Sequence, residues 1–212
     1  CSLVGSEMCI RDRQYSITAI GTMMVQSALN MLGSYAVAAF TAGSKIEQIF
    51  TQAYVAQGTA SATYNAQNIG AGKPERAVRT LYYSIGITVG FGVIISIIIQ
   101  FVAAPVVGLF TADAAVVVLG TQYIRGYIWD CIFAGIHFSF SGYFCAIGRS
   151  ELSFIHNITA IVLVRVPGVY LTSKLFPDTL FPMGLATVAG SLTSVVICLI
   201  AFHILKRQKK VA

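Results

Sequence analysis

Five charged residues lie inside stretches that are otherwise apolar enough to cross a membrane: Lys45, Glu47, Arg125, Asp130 and Arg165. A charge at mid-bilayer is costly unless it faces water or a partner, so each is a candidate for function. Asp130 is the sharpest case, surrounded by apolar and aromatic neighbours in "YIRGYIWDCIFAGIHF". A carboxyl in such a setting can bind and release a proton, or exchange it for Na⁺. Its alternative role is to neutralise Arg125 or Arg165. His137 lies two helical turns further along the same face, where it can form a proton-relay pair with Asp130. Glu47 is a candidate for a cavity mouth or for a fixed pair with another helix. Two residues from Lys45, it does not share a helix face with it. Arg165 precedes Pro167, which breaks the backbone ladder, and it reads, with Arg125, as a structural anchor between helices.

Uncharged polar residues accompany these charges. Gln48, Gln52 and Thr59 fall near one helical stripe, which suits a hydrated cavity or a partner helix and not lipid. Gln26 and Asn30 form an i, i+4 pair expected to face the same interior. Tyr123, Tyr127, Trp129 and Phe133 offer aromatic surface for flat organic cations, although such spacing also serves packing. Other patterns carry no chemistry. The three histidines lack metal-ligand spacing, and the five cysteines show no CxxC, so neither a metal site nor a disulfide framework is indicated. "NIT" at 157–159 falls inside a span. "GAGKPE" is no phosphate loop, because Pro74 follows Lys73 where a hydroxyl would be required. No cofactor and no use of ATP are expected.

The elements that position these residues follow from composition. The 212 residues are 56% hydrophobic and 10% charged, with a mean hydropathy of +0.76. That is too little charge to coat a soluble domain. The net charge of +6 comes from short clusters between apolar runs, a pattern that fits anionic lipid headgroups and not nucleic acid. Six spans are predicted, at about 15–32, 35–69, 77–104, 114–147, 152–175 and 182–206. The second and fourth, near 35 residues, exceed the bilayer at roughly 50 Å. They must tilt, bend or project, with Gly43, Gly58, Gly126, Gly135 and Gly142 as places to bend or pack closely. With the first span starting inside, Lys73, Arg76, Arg79, Arg149, Lys206, Arg207, Lys209 and Lys210 are cytoplasmic and only Lys174 is outside. This places the basic tail, 207–212, in the cytoplasm. Residues 1–13, "CSLVGSEMCIRDR", resemble translated sequencing adapter and are set apart from the lobe at 14–207. The native protein is expected to continue further in the N-terminal direction.

Three segments carry a family resemblance: "AVAAFTAGSKIEQIFTQAYVAQGTASATYNAQNIGAGKPERAVR", "SGYFCAIGRSE", and "VRVPGVYLTS" followed by "LFPMGLAT". In order, spacing and hydropathy the chain resembles the C-terminal six helices of the MATE (multidrug and toxic compound extrusion) transporters, bacterial ones in particular. The resemblance implies an all-α membrane protein, one lobe of a twelve-helix antiporter in the plasma (inner) membrane. It implies export of cationic organic substrates driven by H⁺ or Na⁺, with the N-terminal lobe as the missing partner. Some members use carboxylates on the seventh and tenth helices. Here Gln26 stands where the first acid would be, and Asp130 lies nearly two turns before the place of the second, near Ile136 and His137. The candidates for cation or substrate binding are therefore Asp130 and Glu47, with Gln26, Asn30, Gln48, Gln52, Thr59, Tyr127 and His137. A lipid-linked saccharide flippase of the same superfamily is the alternative, and it would gather Lys45, Arg125 and Arg165 on one cavity. A membrane-embedded enzyme or a scaffold are the alternatives from other classes.

Overall fold

A computed structural model of the protein describes residues 32–177 and 179–211, together with 21, 23, 25–27, 29 and 30. The adapter-like segment 1–13 and the start of the first expected span lie outside the described residues. Among the described residues the regular structure is entirely helical. Those between 21 and 30 belong to α1. There follow α2 (Ser34–Gly70), α3 (Pro74–Gly108), α4 (Ala114–Tyr127) and α5 (Asp130–Ala146). Then come α6 (Ser150–Thr159), a π-helical segment (Ala160–Arg165), α7 (Val166–Leu175) and α8 (Phe181–Val211). Among the described residues three units are long and apolar enough to cross a membrane: α3, the continuous unit Ser150–Leu175, and α8 over Phe181–Arg207.

The α3 helix shows which solvent this fold is built for. Most of its buried stripe is small or hydroxylated, with Ala77, Ser84, Thr88, Gly92, Ser96 and Ala103 beside Leu81, Ile99 and Val107. Its outer face carries Ile87, Phe91, Ile94, Ile97, Ile98 and Phe101, all exposed. Apolar bulk outside and small polar groups inside reverse the pattern of a soluble protein and match a lipid-facing helix. The inward hydroxyls pair across helices. Ser84 donates to Ser139 of α5 at 3.0 Å and accepts from Gln57 of α2 at 3.2 Å.

The fourth expected span is two helices. The chain turns at Ile128 and Trp129 between α4 and α5, a break that the expected single helix over 114–147 does not contain. Lipid cannot satisfy the carbonyls freed at a break, so other helices must. From α3, Ser96 Oγ donates to the carbonyl of Ile128 at 3.0 Å and Gln100 Nε2 to that of Arg125 at 3.2 Å. Asp130 thereby becomes the first residue of α5, where an acid suits the helix start. The fifth span is interrupted as well. The π segment ends just before Pro167, and the amide of Val166 reaches back five residues to the carbonyl of Ile161. A π turn beside a proline accommodates the missing N–H without ending the helix.

Two inter-helix turns share one design. After α2, the amide of Lys73 bonds the carbonyl of Asn68 at 2.9 Å. After α5, the amide of Arg149 bonds that of Phe144 at 2.9 Å. In each, the preceding glycine, Gly72 or Gly148, adopts a positive φ of 71° or 73°. This is the Schellman stop, with a basic residue just beyond it. The long α2 crosses α5 where Gly58 meets Gly142: a Cβ on Gly142 would lie 2.5 Å from the carbonyl oxygen of Gly58. Backbone on both sides leaves no flexible atom to yield. Gly142→Val should therefore destabilise the lobe by about 1–3 kcal/mol, seen as a lower Tm in detergent. An unchanged Tm would show that the crossing is not tight.

Candidate functional site

A cavity of about 730 Å³ is enclosed by α2, α4, α5, α8 and the helix bearing the π segment, with Gly21 and Val25 of α1 at its edge. The structure brings Glu47, Gln48, Gln52, Thr59, Tyr127, Asp130 and His137 together on its wall, and Arg165 with them. Gln26 and Asn30 are not on it. On α1 the wall is Gly21 and Val25, one turn apart, which leaves Gln26 half-buried to the side and Asn30 exposed. Two small apolar residues take the inward face that the polar pair was expected to hold. Arg125 and Lys45 are also exposed and off the wall.

The charged groups on the wall divide into a pair and a remainder. Arg165 binds Glu47 at 2.8 Å, and Tyr123 donates its hydroxyl to the other oxygen of Glu47 at 3.1 Å. Tyr123 is held by an edge-on contact with Phe40 and a stacked contact with Tyr127, at centroid distances of 5.0 Å and 6.1 Å. Asp130 is thus not the partner of Arg165, the alternative role considered for it. Asp130 is 5% exposed. Its carboxyl takes a hydrogen bond from Ser191 of α8, while Oδ1 has no hydrogen-bond partner among the described residues. Such an oxygen is costly to bury and open to a donor or a cation.

The hydroxyls of the wall are oriented by their own helix. Ser44, Thr59 and Thr63 donate to the carbonyls of Phe40, Val55 and Thr59 at 2.8, 3.0 and 3.1 Å. With its one proton committed to the backbone, each hydroxyl offers only lone pairs elsewhere. These three hydroxyls therefore meet the cavity as acceptors, beside the amide donors of Gln48 and Gln52 on the same helix. The spacing of the polar residues was legible in the sequence; the acceptor character of the hydroxyls required the rotamers.

Two features were missed. His156, which the sequence left as an isolated histidine, is 2% exposed, with Nδ1 2.6 Å from Ser194 Oγ. Its ring lies 5.8 Å from that of His137. The ring neighbours of His137 are Phe138 and His156. The second feature is the serine-rich lower wall, Ser141, Ser150, Ser153 and Asn157, in which Ser141 hydrogen-bonds Ser153. The i, i+3 spacing of Ser150 and Ser153, with Asn157 four residues on, was the available signal.

The MatE family model matches residues 14–171. The chain belongs to the MatE family. Among curated relatives, this MatE chain is 29% identical over 153 residues to an FAD transporter of Shewanella oneidensis, covering 71% of this chain and 33% of that protein. It is 25% identical over 154 residues to the "Probable multidrug resistance protein YpnP" of Bacillus subtilis, covering 73% and 35%. The bent form of the Vibrio cholerae MATE transporter VcmN shares its fold at a TM-score of 0.89 and 16% identity, over 98% of this chain and 47% of that one. A MATE crystallised with MaL6 gives 0.84 at 19% identity, over 93% and 45%. The chain thus spans about a third of its curated relatives and about half of these structures.

The ion pair of this MatE lobe can be tested directly. Its side chains are 35% and 16% exposed, so solvent screens it in part. Glu47→Gln and Arg165→Met should each lower the Tm, and the double variant should recover part of the loss. The cycle should give a coupling of about 1–3 kcal/mol. Strict additivity of the two single effects would remove the pair as an organising contact.

Proposed function

We propose that the chain is the C-terminal lobe of a twelve-helix secondary antiporter that exports organic cations against inward H⁺ or Na⁺. One observation carries this reading. The only fixed cation on the cavity wall among the described residues, Arg165, is neutralised by Glu47, which leaves Asp130 as the unpaired charge. The hydroxyl lone pairs of α2, the amides of Gln48 and Gln52 and the stacked Tyr123 and Tyr127 complete a polar, aromatic lining. Such a wall suits a flat cation. In this role Asp130 is the residue at which coupling ion and substrate compete, and Glu47 with Arg165 holds α2 to the π-bearing helix beside it.

The reading extends to topology. Lys73, Arg76, Arg79, Arg149 and the basic tail define the cytoplasmic side, so the C-terminus is inside and the protein resides in the plasma (inner) membrane of a bacterium. Alternating access then needs an N-terminal lobe against which this one rocks. The flippase alternative is disfavoured, because Lys45 and Arg125 do not join Arg165 on the wall. An FAD-like substrate carries two phosphates, and the single wall cation is already committed to a carboxylate. FAD is therefore a necessary competitor in any transport assay.

Ethidium efflux by the complete transporter should fall at least about tenfold in Asp130→Asn, under whichever gradient, Na⁺ or H⁺, drives the native protein. Unchanged efflux under both gradients would dismiss Asp130. Inhibition by FAD with no cation transport would replace the substrate class. For topology, cysteines introduced at positions 73 and 174 should react with an impermeant maleimide from opposite sides of the membrane. Labelling of both from one side would overturn the orientation.

A further inference from the structure

His137 and His156 meet where α5, α6 and α8 converge. Their centroids are 5.8 Å apart with a 59° tilt. Imidazoles joined through an N–H···N bond have centroids roughly 5 Å apart, so closing the pair needs a movement of about an ångström. His156 is held from behind by Ser194 at Nδ1, while its Nε2 is buried with no hydrogen-bond partner among the described residues. With Nδ1–H donated to Ser194, Nε2 carries a lone pair and lacks a proton donor. His137 stands on the cavity wall, so the pair is reachable from the cavity.

We propose that His137 and His156 form a proton-binding site of this lobe, holding one proton between them in an N–H···N bond. The proton arrives from cavity water at His137, the member of the pair on the wall, and no other bond is made or broken. The serine-rich wall of Ser141, Ser150, Ser153 and Asn157 leads from His137 toward the Arg149 end of α6 and supplies hydroxyls and an amide along the way.

The surroundings decide what a bound proton does. Arg165 acts on His137 from the π segment, and Glu47 of α2 and Asp130 and Cys145 of α5 line the same cavity. From α8 come the hydroxyls of Ser191 and Ser194, and from α6 those of Ser150 and Ser153. Glu47 and Arg165 offset one another, so Asp130 is the counter-charge available to a protonated pair. A proton on the pair and an organic cation in the same cavity repel each other, and antiport requires that kind of mutual exclusion. That last step rests on the function proposed above; the proton site itself does not.

The test uses the complete transporter labelled with ¹⁵N-histidine. Spectra recorded from about pH 4 to 9 should show both imidazoles changing in one shared step. His137→Gln should move the midpoint of His156 by more than about one pH unit, with Tm reporting that the variant is folded. His156→Gln should do the same to His137. Independent titration of the two rings, or no titration of either, would overturn the site. In proteoliposomes, His156→Gln should flatten the pH profile of ethidium efflux, and an unchanged profile would remove the site from coupling. Absence of ethidium transport in the native protein would count against the substrate class alone, because the spectra decide the proton site without it.

Discussion

The hydrocarbon of a bilayer offers no hydrogen-bond partner, and that constraint organises most of this lobe. Every departure from a regular helix has to be answered from within the protein. Ser96 and Gln100 of α3 answer the break at Ile128 and Trp129. The same constraint explains why so many Ser and Thr hydroxyls, including Thr59, Thr63, Thr88 and Ser139, donate to carbonyls of their own helices. On α2 this leaves the hydroxyls of Ser44, Thr59 and Thr63 as acceptors toward the cavity, beside the amide donors of Gln48 and Gln52.

The same economy governs charge. A bare guanidinium in the cavity would repel cations and be costly to hold away from water. Paired with Glu47 and braced by Tyr123, Arg165 becomes a fastening between α2 and the π-bearing helix. Asp130 escapes that role because the α4–α5 break sets it at the head of α5, facing α8, where Ser191 meets it. One break in a helix thus separates a structural carboxylate from an available one. The aromatic stack of Tyr123 and Tyr127 lies on the α4 side of the same break.

Much of this was legible in the sequence, for identifiable reasons. Span boundaries and turns depend on local composition, and 35–69 and 77–104 against Ser34–Gly70 and Pro74–Gly108 show how closely punctuation tracks the helices. The polar stripe of α2 was legible because helical period alone puts Gln48, Gln52 and Thr59 together. A bend in the fourth span was legible from its length and Gly126, but the place of the break at Ile128 was not, since the groups that satisfy it lie on α3 at Ser96 and Gln100. The inward face of α1 was misjudged because polarity was taken as the guide, whereas close packing favoured Gly21 and Val25. The partner of Arg165, 118 residues away in sequence, and the meeting of His137 with His156 are tertiary facts that no local pattern encodes.

The π segment ties the two charged regions of the lobe together. His156 stands one turn before Ala160, and Arg165 is the last residue of the segment. A π turn holds one residue more than the α turn it replaces. Each residue of an α-helix turns the chain by about 100°, so regularising the segment would rotate Arg165 relative to His156 by roughly that angle. The contact with Glu47 fixes one end of this element and the contact with Ser194 fixes the other. Pro167 lacks the N–H that would reach back into the π segment, so these side-chain contacts carry more of its register than they would in a continuous helix. Changing the charge at either end therefore bears on the same backbone segment, and through it on the wall of the cavity.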